Sequence, residues 1–419
     1  MTSSLFKVQE HVLECQHIRE YARATSNSQE AVLKLAIKQY TPLDNLEPRE
    51  GDVTIIGAHA NAFPKELYEP LWEDILARSK SNGFRIRGIW IADVAQQGQS
   101  GVMNENLLGN DPSWSDHPRD LLHLINHFRS QMPLPLIGIG HSMGAACLVN
   151  LSLMHPRLFT TMILLDPVIQ QHASVPLGPK PAQASTFRRD IWPSRSEAEA
   201  SFRKSNFYQT WDQRVLDLWC KYGIRETPAS LHPGGKGEVT LTTTKHQECF
   251  TFLRPSWEAF SEGGKRVVKR DLVPELRDET PAASQFPFYR PEPFNTLVRI
   301  PELRPSALYI FGELSHLSVP EAIALKMELT GTGPGGSGGA REGRVDQVTL
   351  KGIGHLVAME ASQKCADATA TWVGKELKRF QEERRKYIEW TKRSVEEKTT
   401  LSEEWKRRIG GPPQRPSKM

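Results

Sequence analysis

A chain of 419 residues with 38% hydrophobic side chains can hold one large α/β domain with an insertion, or two average domains. Its charged residues, 24% of the total, nearly cancel to a net charge of +4, too balanced to point to nucleic acid or an anionic membrane surface. The five cysteines (Cys15, Cys147, Cys220, Cys249, Cys365) are scattered and form no C-x-x-C pair, which argues against a disulfide framework or a zinc site and for a reducing compartment.

The first ten residues carry no apolar core of a secretory signal, so none is expected. Residues 36–40 and 53–57 read as early strands separated by the turn-rich stretch 42–51. The loop 58–64, with His59, Ala60 and Asn61, leads into a helical pattern over 66–79 with Leu67, Leu71, Ile75 and Leu76 on one face. A strand is predicted at 84–91, a long loop rich in glycine and asparagine at 93–114, and a helix at 117–129.

Residues 133–154 approach membrane-spanning length, but two prolines, several glycines and His141 make them a buried strand and a buried helix instead. The protein therefore reads as soluble. At the junction stands Gly140-His141-Ser142-Met143-Gly144, a G-x-S-x-G between an apolar, β-branched run and a run of small and apolar residues. Such a strand–turn–helix lifts a serine off the end of a parallel sheet in a positive-φ turn. Side chains on its close neighbours would strike the crossing helix, so glycines flank it. The peptide N–H of Met143 then points toward the serine hydroxyl, where it can donate to an oxyanion.

A further strand is predicted at 161–165, ending at Asp166. From 167 to 305 the alternation stops. This stretch is rich in Pro, Trp, Arg and Phe, with helix-like pieces near 197–207, 213–222 and 246–252. Strand 307–311, helix 320–329, strand 345–350 and Gly352-Ile-Gly-His355 follow, interrupted by a glycine-rich segment at 331–340 read as a surface connection with no packing role. From Met359 to about Arg408 the chain reads as increasingly charged helix, with 382–386 and 396–398 as solvated faces. The fold class is thus α/β. It has a doubly wound, mostly parallel sheet with a largely helical cap inserted after the strand ending at Asp166. The expected organisation is a first part of the core at 1–166, the cap at 167–305, a second part of the core at 306–380, and a charged helix and flexible tail at 381–419.

A serine nucleophile needs a base, and His355, directly after the last strand, follows Ser142 in the order this fold uses. The acid has two candidates: Asp166, at the tip of the strand after the serine helix, and Glu313, close to the strand 307–311. The common acid position after that strand holds His316. Asp166 is preferred on triad geometry, because a carboxylate beyond a fully apolar run needs a partner such as the His355 N–H. Asn61, in a loop like the His-Gly-x segment of oxyanion holes, is the second expected donor beside Met143. Ala60 occupies the usual glycine position, and His59 braces the loop. This chemistry calls for no metal and no organic cofactor.

Several stretches together resemble the fungal α/β-hydrolases of the AK-toxin biosynthesis group, related to the yeast peroxisomal lipase. They are residues 63–72, Asn104-Glu105, 108–114, 119–122, 138–144, 155–159, Leu165-Asp166-Pro167 and 354–357. The resemblance covers most of 42–372, and Ala60 departs from its pattern. It implies an α/β-hydrolase fold, catalytic roles for Ser142 and His355, and peroxisomal targeting as in several members. The chain closes on Ser417-Lys418-Met419, close to the S-K-L signal read by the peroxisomal import receptor, behind a flexible basic tail. A cytoplasmic location is the alternative.

The expected activity is a serine hydrolase of the lipase, esterase or thioesterase kind. It would cleave an acyl ester or thioester through an acyl-enzyme, in peroxisomal lipid or secondary-metabolite (toxin) biosynthesis. Aromatic residues of the cap (Phe202, Phe207, Trp211, Trp219, Phe250, Trp257) suit a fatty-acyl or polyketide-derived group, although most would simply form the cap's own core. Two other readings share the fold: a non-catalytic binding protein, and a hydrolase of C–C or lactone bonds.

Overall fold

The computed structural model describes residues 5–171, 180–235, 237–262, 266–277 and 288–412. Its strands in chain order are β1 (Phe6–Glu14), β2 (Lys34–Pro42), β3 (Val53–Ala58), β4 (Ile86–Ala92), β5 (Leu136–His141), β6 (Thr161–Leu165), β7 (Ile191–Trp192), β8 (Ile224–Glu226), β9 (Val239–Leu241), β10 (Ser306–Gly312) and β11 (Val345–Leu350). Eight of them form one sheet in the order β1-β2-β4-β3-β5-β6-β10-β11. It is parallel from β4 to β11, and antiparallel only where β1 meets β2 and β2 meets β4.

The central strands are apolar at almost every position because both sheet faces are covered. Successive residues enter two different cores: Ile137, Ile139, Ile163, Leu165 and Ile310 face one layer, while Leu136, Met162, Leu164, Tyr309 and Phe311 face the other. Helices Glu69–Ser79 and Ser362–Thr391 cover the first face, and Asp116–His127 and Met143–Met154 the second. The registers His141↔Leu165 and Leu165↔Ile310 bring the C-terminal ends of β5, β6 and β10 side by side. Whatever follows those three strands meets at one edge of the sheet, where open α/β sheets bind ligands.

Strand β1 lies outside the predicted elements. As an edge strand it buries mainly Phe6 and Leu13, so it lacks the apolar run that marks an inner strand. A helix, Gly98–Asn104, stands inside the expected loop 93–114. Gly98 begins it with a φ of +53°, and the Asp93 carboxylate occupies the space a Cβ would need. Between β6 and β10 the described residues form short helices, among them Arg195–Lys204, Gln213–Tyr222 and Lys245–Phe252, plus a small antiparallel sheet β7-β9-β8. Strands of two or three residues are too short to show a period, which hid this sheet from the sequence. Trp192, Phe202, Trp211 and Trp219 are buried together there, whereas Phe207 and Trp257 are exposed.

The glycine-rich segment differs from its expected reading. Its backbone is laced onto residues 300–303: Gly331 N–H donates to Ile300 O, Gly333 N–H to Pro301 O and Ser337 N–H to Leu303 O. Positive φ at Gly331, Gly335, Gly338 and Gly339 makes that path possible, so the glycines serve packing. One helix, Ser362–Thr391, runs unbroken through position 380, and its buried side chains end at Leu377. The charged segment thus begins inside a helix, with no break at the expected boundary. Among the described residues no helix is long and apolar enough to cross a membrane.

Candidate active site

Ser142 joins β5 to the helix Met143–Met154 with φ 56° and ψ −117°, the strained turn expected of an elbow. A Cβ on Gly140 would meet the Ala145 Cα at 2.6 Å, and one on Gly144 would press on the Ala58 and His59 carbonyl oxygens. Only glycine fits at either place. Ser142 N–H donates to Leu165 O at 2.9 Å and Val168 N–H donates back to Ser142 O at 3.2 Å, which stitches the turn to the neighbouring strand end.

The Ser142 Oγ lies 2.9 Å from His355 Nε2, and His355 Nδ1 lies 2.5 Å from Asp166 Oδ2. Since a carboxylate only accepts, Nδ1 carries the proton and Nε2 is left to accept from the hydroxyl. Asp166 is fully buried with φ 40°, its N–H held by Ile310 O at 2.8 Å. Burial pushes its carboxyl pKa up, but the His355 hydrogen bond and charge, then the hydroxyls of Ser315 and Ser318, outweigh this and hold it below the usual carboxylate range. Ser315 donates to Oδ2 at 2.5 Å and Ser318 to Oδ1. Both come from the loop after β10, the common place for an acid, which here supplies two hydroxyl donors to the carboxylate just beyond β6.

The alternative acid, Glu313, is placed elsewhere. Its side chain is exposed and accepts from Gly352 N–H at 2.8 Å, with no bond to His355. The backbone explains this: Glu313 N–H pairs with Leu350 O and continues the β10–β11 ladder, pointing the side chain away from the imidazole. His316 sits beside the triad, its ring centroid 5.8 Å from that of His355, and burial followed by that neighbour's charge lowers its pKa.

Asn61 and Met143 both line the cavity at Ser142. The Asn61 side chain is committed, its Oδ1 accepting from Gln97 Nε2 at 2.6 Å and its Nδ2 donating to Glu248 O at 3.1 Å. The neighbouring N–H groups are committed too, Ala60 to the Tyr68 hydroxyl and Ala62 to Gln97 Oε1. Among the described residues the peptide N–H groups of Asn61 and Met143 have no acceptor. His59 is buried, accepting from Val94 N–H at Nε2 and donating to Ala60 O from Nδ1, which braces this loop.

Five further residues around the site carry no signal in the sequence: Tyr68, His141, Gln97, Ser315 and Ser318. His141 donates from Nε2 to His355 O at 3.1 Å, so its Nδ1 accepts from the Tyr68 hydroxyl at 2.9 Å, which in turn accepts from Ala60 N–H. Burial, then the charge of His355, lowers the His141 pKa to about 3 and keeps it neutral. This chain of bonds ties the oxyanion loop to the loop carrying His355. Nothing in the sequence pattern signals it, since the residue between Gly140 and Ser142 tolerates many types locally.

The triad opens into a cavity of about 550 Å³ with a mainly apolar wall that includes Phe63, Trp114, Tyr208, Trp219 and Phe252. Among the described residues no group of His, Cys, Asp and Glu is arranged to hold a metal ion. The C-terminal tripeptide 417–419 lies outside the described residues.

Residues 81–216 match the family described as serine aminopeptidase, S33. Over 410 residues the chain is 41% identical to the type I acyl-CoA thioesterase mpaH of Penicillium roqueforti, an alignment covering 93% of this chain and 92% of that protein. It is 33% identical over 249 residues to the abhydrolase domain-containing protein AKT2 of Alternaria alternata, covering 58% of this chain and 85% of that one. Among solved structures, the peroxisomal α/β-hydrolase Lpx1 of Saccharomyces cerevisiae superposes with a TM-score of 0.67 at 16% identity over 90% of each chain, a likeness of fold.

Proposed function

The chain belongs to the α/β-hydrolase family of these fungal relatives and is a hydrolase, and we propose that it cleaves acyl thioesters through an acyl-enzyme on Ser142. The observation that carries this reading is the hydrogen-bonded run Ser142–His355–Asp166 at the mouth of an apolar cavity. As Ser142 Oγ attacks the thioester carbonyl, His355 Nε2 takes its proton and Asp166 stabilises the resulting imidazolium. The carbonyl oxygen gains charge beside the free N–H groups of Asn61 and Met143. Collapse expels the thiol, which receives the proton from His355. Water, deprotonated by the same nitrogen, then releases the acid and regenerates the serine.

A thioester is favoured over other esters because mpaH carries that activity in its name. The apolar wall suits the acyl part of such a substrate. We place the reaction in the peroxisome. Ser417-Lys418-Met419 would be read by the import receptor, and the yeast structural neighbour is itself described as peroxisomal.

A fluorophosphonate probe together with a thiol-release assay on acyl-CoA tests this. Labelling and turnover are expected in wild type and in Glu313→Gln, and are expected to vanish in Ser142→Ala and fall severely in His355→Ala and Asp166→Asn. Folded wild type that neither labels nor releases thiol would overturn the reading.

A further inference from the structure

We propose that Gln97 is a positioning residue for the oxyanion donor at Asn61, and that through Thr251 it ties that donor to the docking of the insertion helix Lys245–Phe252. The proposal rests on the serine-hydrolase reading above and adds a part that the triad does not contain.

Gln97 is fully buried, and each polar position of its amide is used. Its Oε1 accepts from Ala62 N–H at 2.7 Å, and its Nε2 donates to Asn61 Oδ1 at 2.6 Å and to Thr251 Oγ1 at 3.0 Å. A flipped amide would set its N–H₂ against the Ala62 N–H and its oxygen against Asn61 Oδ1, so only one orientation is satisfied. The two residues it grips are Asn61, which carries the donor N–H, and Ala62, the next along the chain. Ala62 has φ 71°, a left-handed conformation that a non-glycine residue keeps only when its surroundings impose it. Asn61 is gripped from the other side by Glu248 O. Asn61 lines the cavity beside Ser142, and its N–H meets no acceptor among the described residues.

Two of these grips come from the insertion. Glu248 and Thr251 stand on one helix, Lys245–Phe252, whose side facing the core also receives Gln96 Nε2 at Thr251 Oγ1 and Trp114 Nε1 at Thr251 O. If that helix moves off, Gln97 loses one acceptor and Asn61 loses Glu248 O, and the Asn61 loop is no longer over-determined. The oxyanion donor is therefore assembled only when the helix is seated. Water exclusion over the cavity and transition-state stabilisation are set by the same contact.

The test compares Gln97→Met, Thr251→Val and Thr251→Ser with wild type, using an acyl-CoA thioester and a trifluoromethyl ketone that carries the same acyl chain. Gln97→Met and Thr251→Val are expected to lower kcat by about 10- to 100-fold with KM little moved, the ketone weakening by a similar factor. Thr251→Ser, which keeps the hydroxyl, is expected to recover most of the loss seen in Thr251→Val. Thermal melting identifies a variant that has merely unfolded, in which case the valine–serine pair decides. Variants as active as wild type, or a change in KM alone, would overturn the proposal while leaving the hydrolase intact. An inert wild type would sink both readings together.

Discussion

Ser315 Oγ lies 2.5 Å from Asp166 Oδ2, so a hydroxyl from the loop after β10 completes the shell of a carboxylate carried by β6. Ser318 does the same for Oδ1. Together with His355 they hold the Asp166 pKa down against burial. The double variant Ser315→Ala/Ser318→Ala removes two donors to the charged form, so its carboxyl pKa rises. The acid limb of kcat/KM should then move to higher pH, which a pH–rate profile reads directly. The same shift acts on stability. A depressed carboxylate contributes above its unfolded pKa and loses that contribution as pH falls through its folded pKa, so the double variant should begin to lose stability at a higher pH than wild type.

Gly144 packs where β3 ends. A Cβ there would lie 2.6 Å from His59 O and closer still to Ala58 O, both of them backbone atoms that cannot swing away. Gly144→Ala should cost about 1–3 kcal/mol in urea unfolding. The loss of activity should be larger than that figure alone implies, because relieving the clash moves the oxyanion loop.

His117 is buried with neither ring nitrogen meeting a partner among the described residues. Burial, then the charges of His59 and Arg19, lowers its pKa to about 3. Below about pH 6.5 the unfolded chain takes up a proton here that the folded chain refuses until about pH 3. Stability therefore falls with decreasing pH across that window, by about 1.4 kcal/mol per unit where the linkage is complete. His117→Phe should flatten the decline and raise the urea midpoint at about pH 5 relative to wild type, with a much smaller difference at neutral pH.

Residues 392–412 are almost entirely exposed. Removing 392–419 should change unfolding free energy by less than about 0.5 kcal/mol. In cells, a fluorescent protein fused to the N-terminus should mark peroxisomes with the full chain and disperse once Ser417–Met419 are deleted. An undisturbed peroxisomal pattern in the deletion would reject the tripeptide as an address.

What the sequence made legible follows from what is local. Gln213–Tyr222 stands where its periodicity puts it because it buries one face, while β6 is legible as a short run buried throughout and β11 as a run closed by buried Val345 and Leu350. Ser142 and His355 are readable because an elbow needs its glycines and a base must follow a strand. The choice between Asp166 and Glu313 depends on which strand end the imidazole reaches, a relation fixed by the order of β6 and β10 in the sheet and by no pattern along the chain. Gln97, Tyr68 and His141 were invisible for the same reason: each acts through partners 8 to 214 positions away. The glycine-rich segment misled in the opposite sense, its low complexity resembling a linker while its backbone is pinned to residues 300–303.

The insertion leaves the sheet directly after Asp166, so a swing of it pulls on the backbone beside that carboxylate. Two backbone bonds oppose that pull: Asp166 N–H is moored to Ile310 O, and Val168 N–H to Ser142 O. The start of the insertion is thus tied to β10 and to the serine turn on both sides of Pro167. At the helix Lys245–Phe252 the side chains of Thr251 and Gln97 link the insertion directly to the Asn61 loop. Under the mechanism proposed above, rocking the insertion would thus weaken the oxyanion donor while Ser142, His355 and Asp166 stay in register.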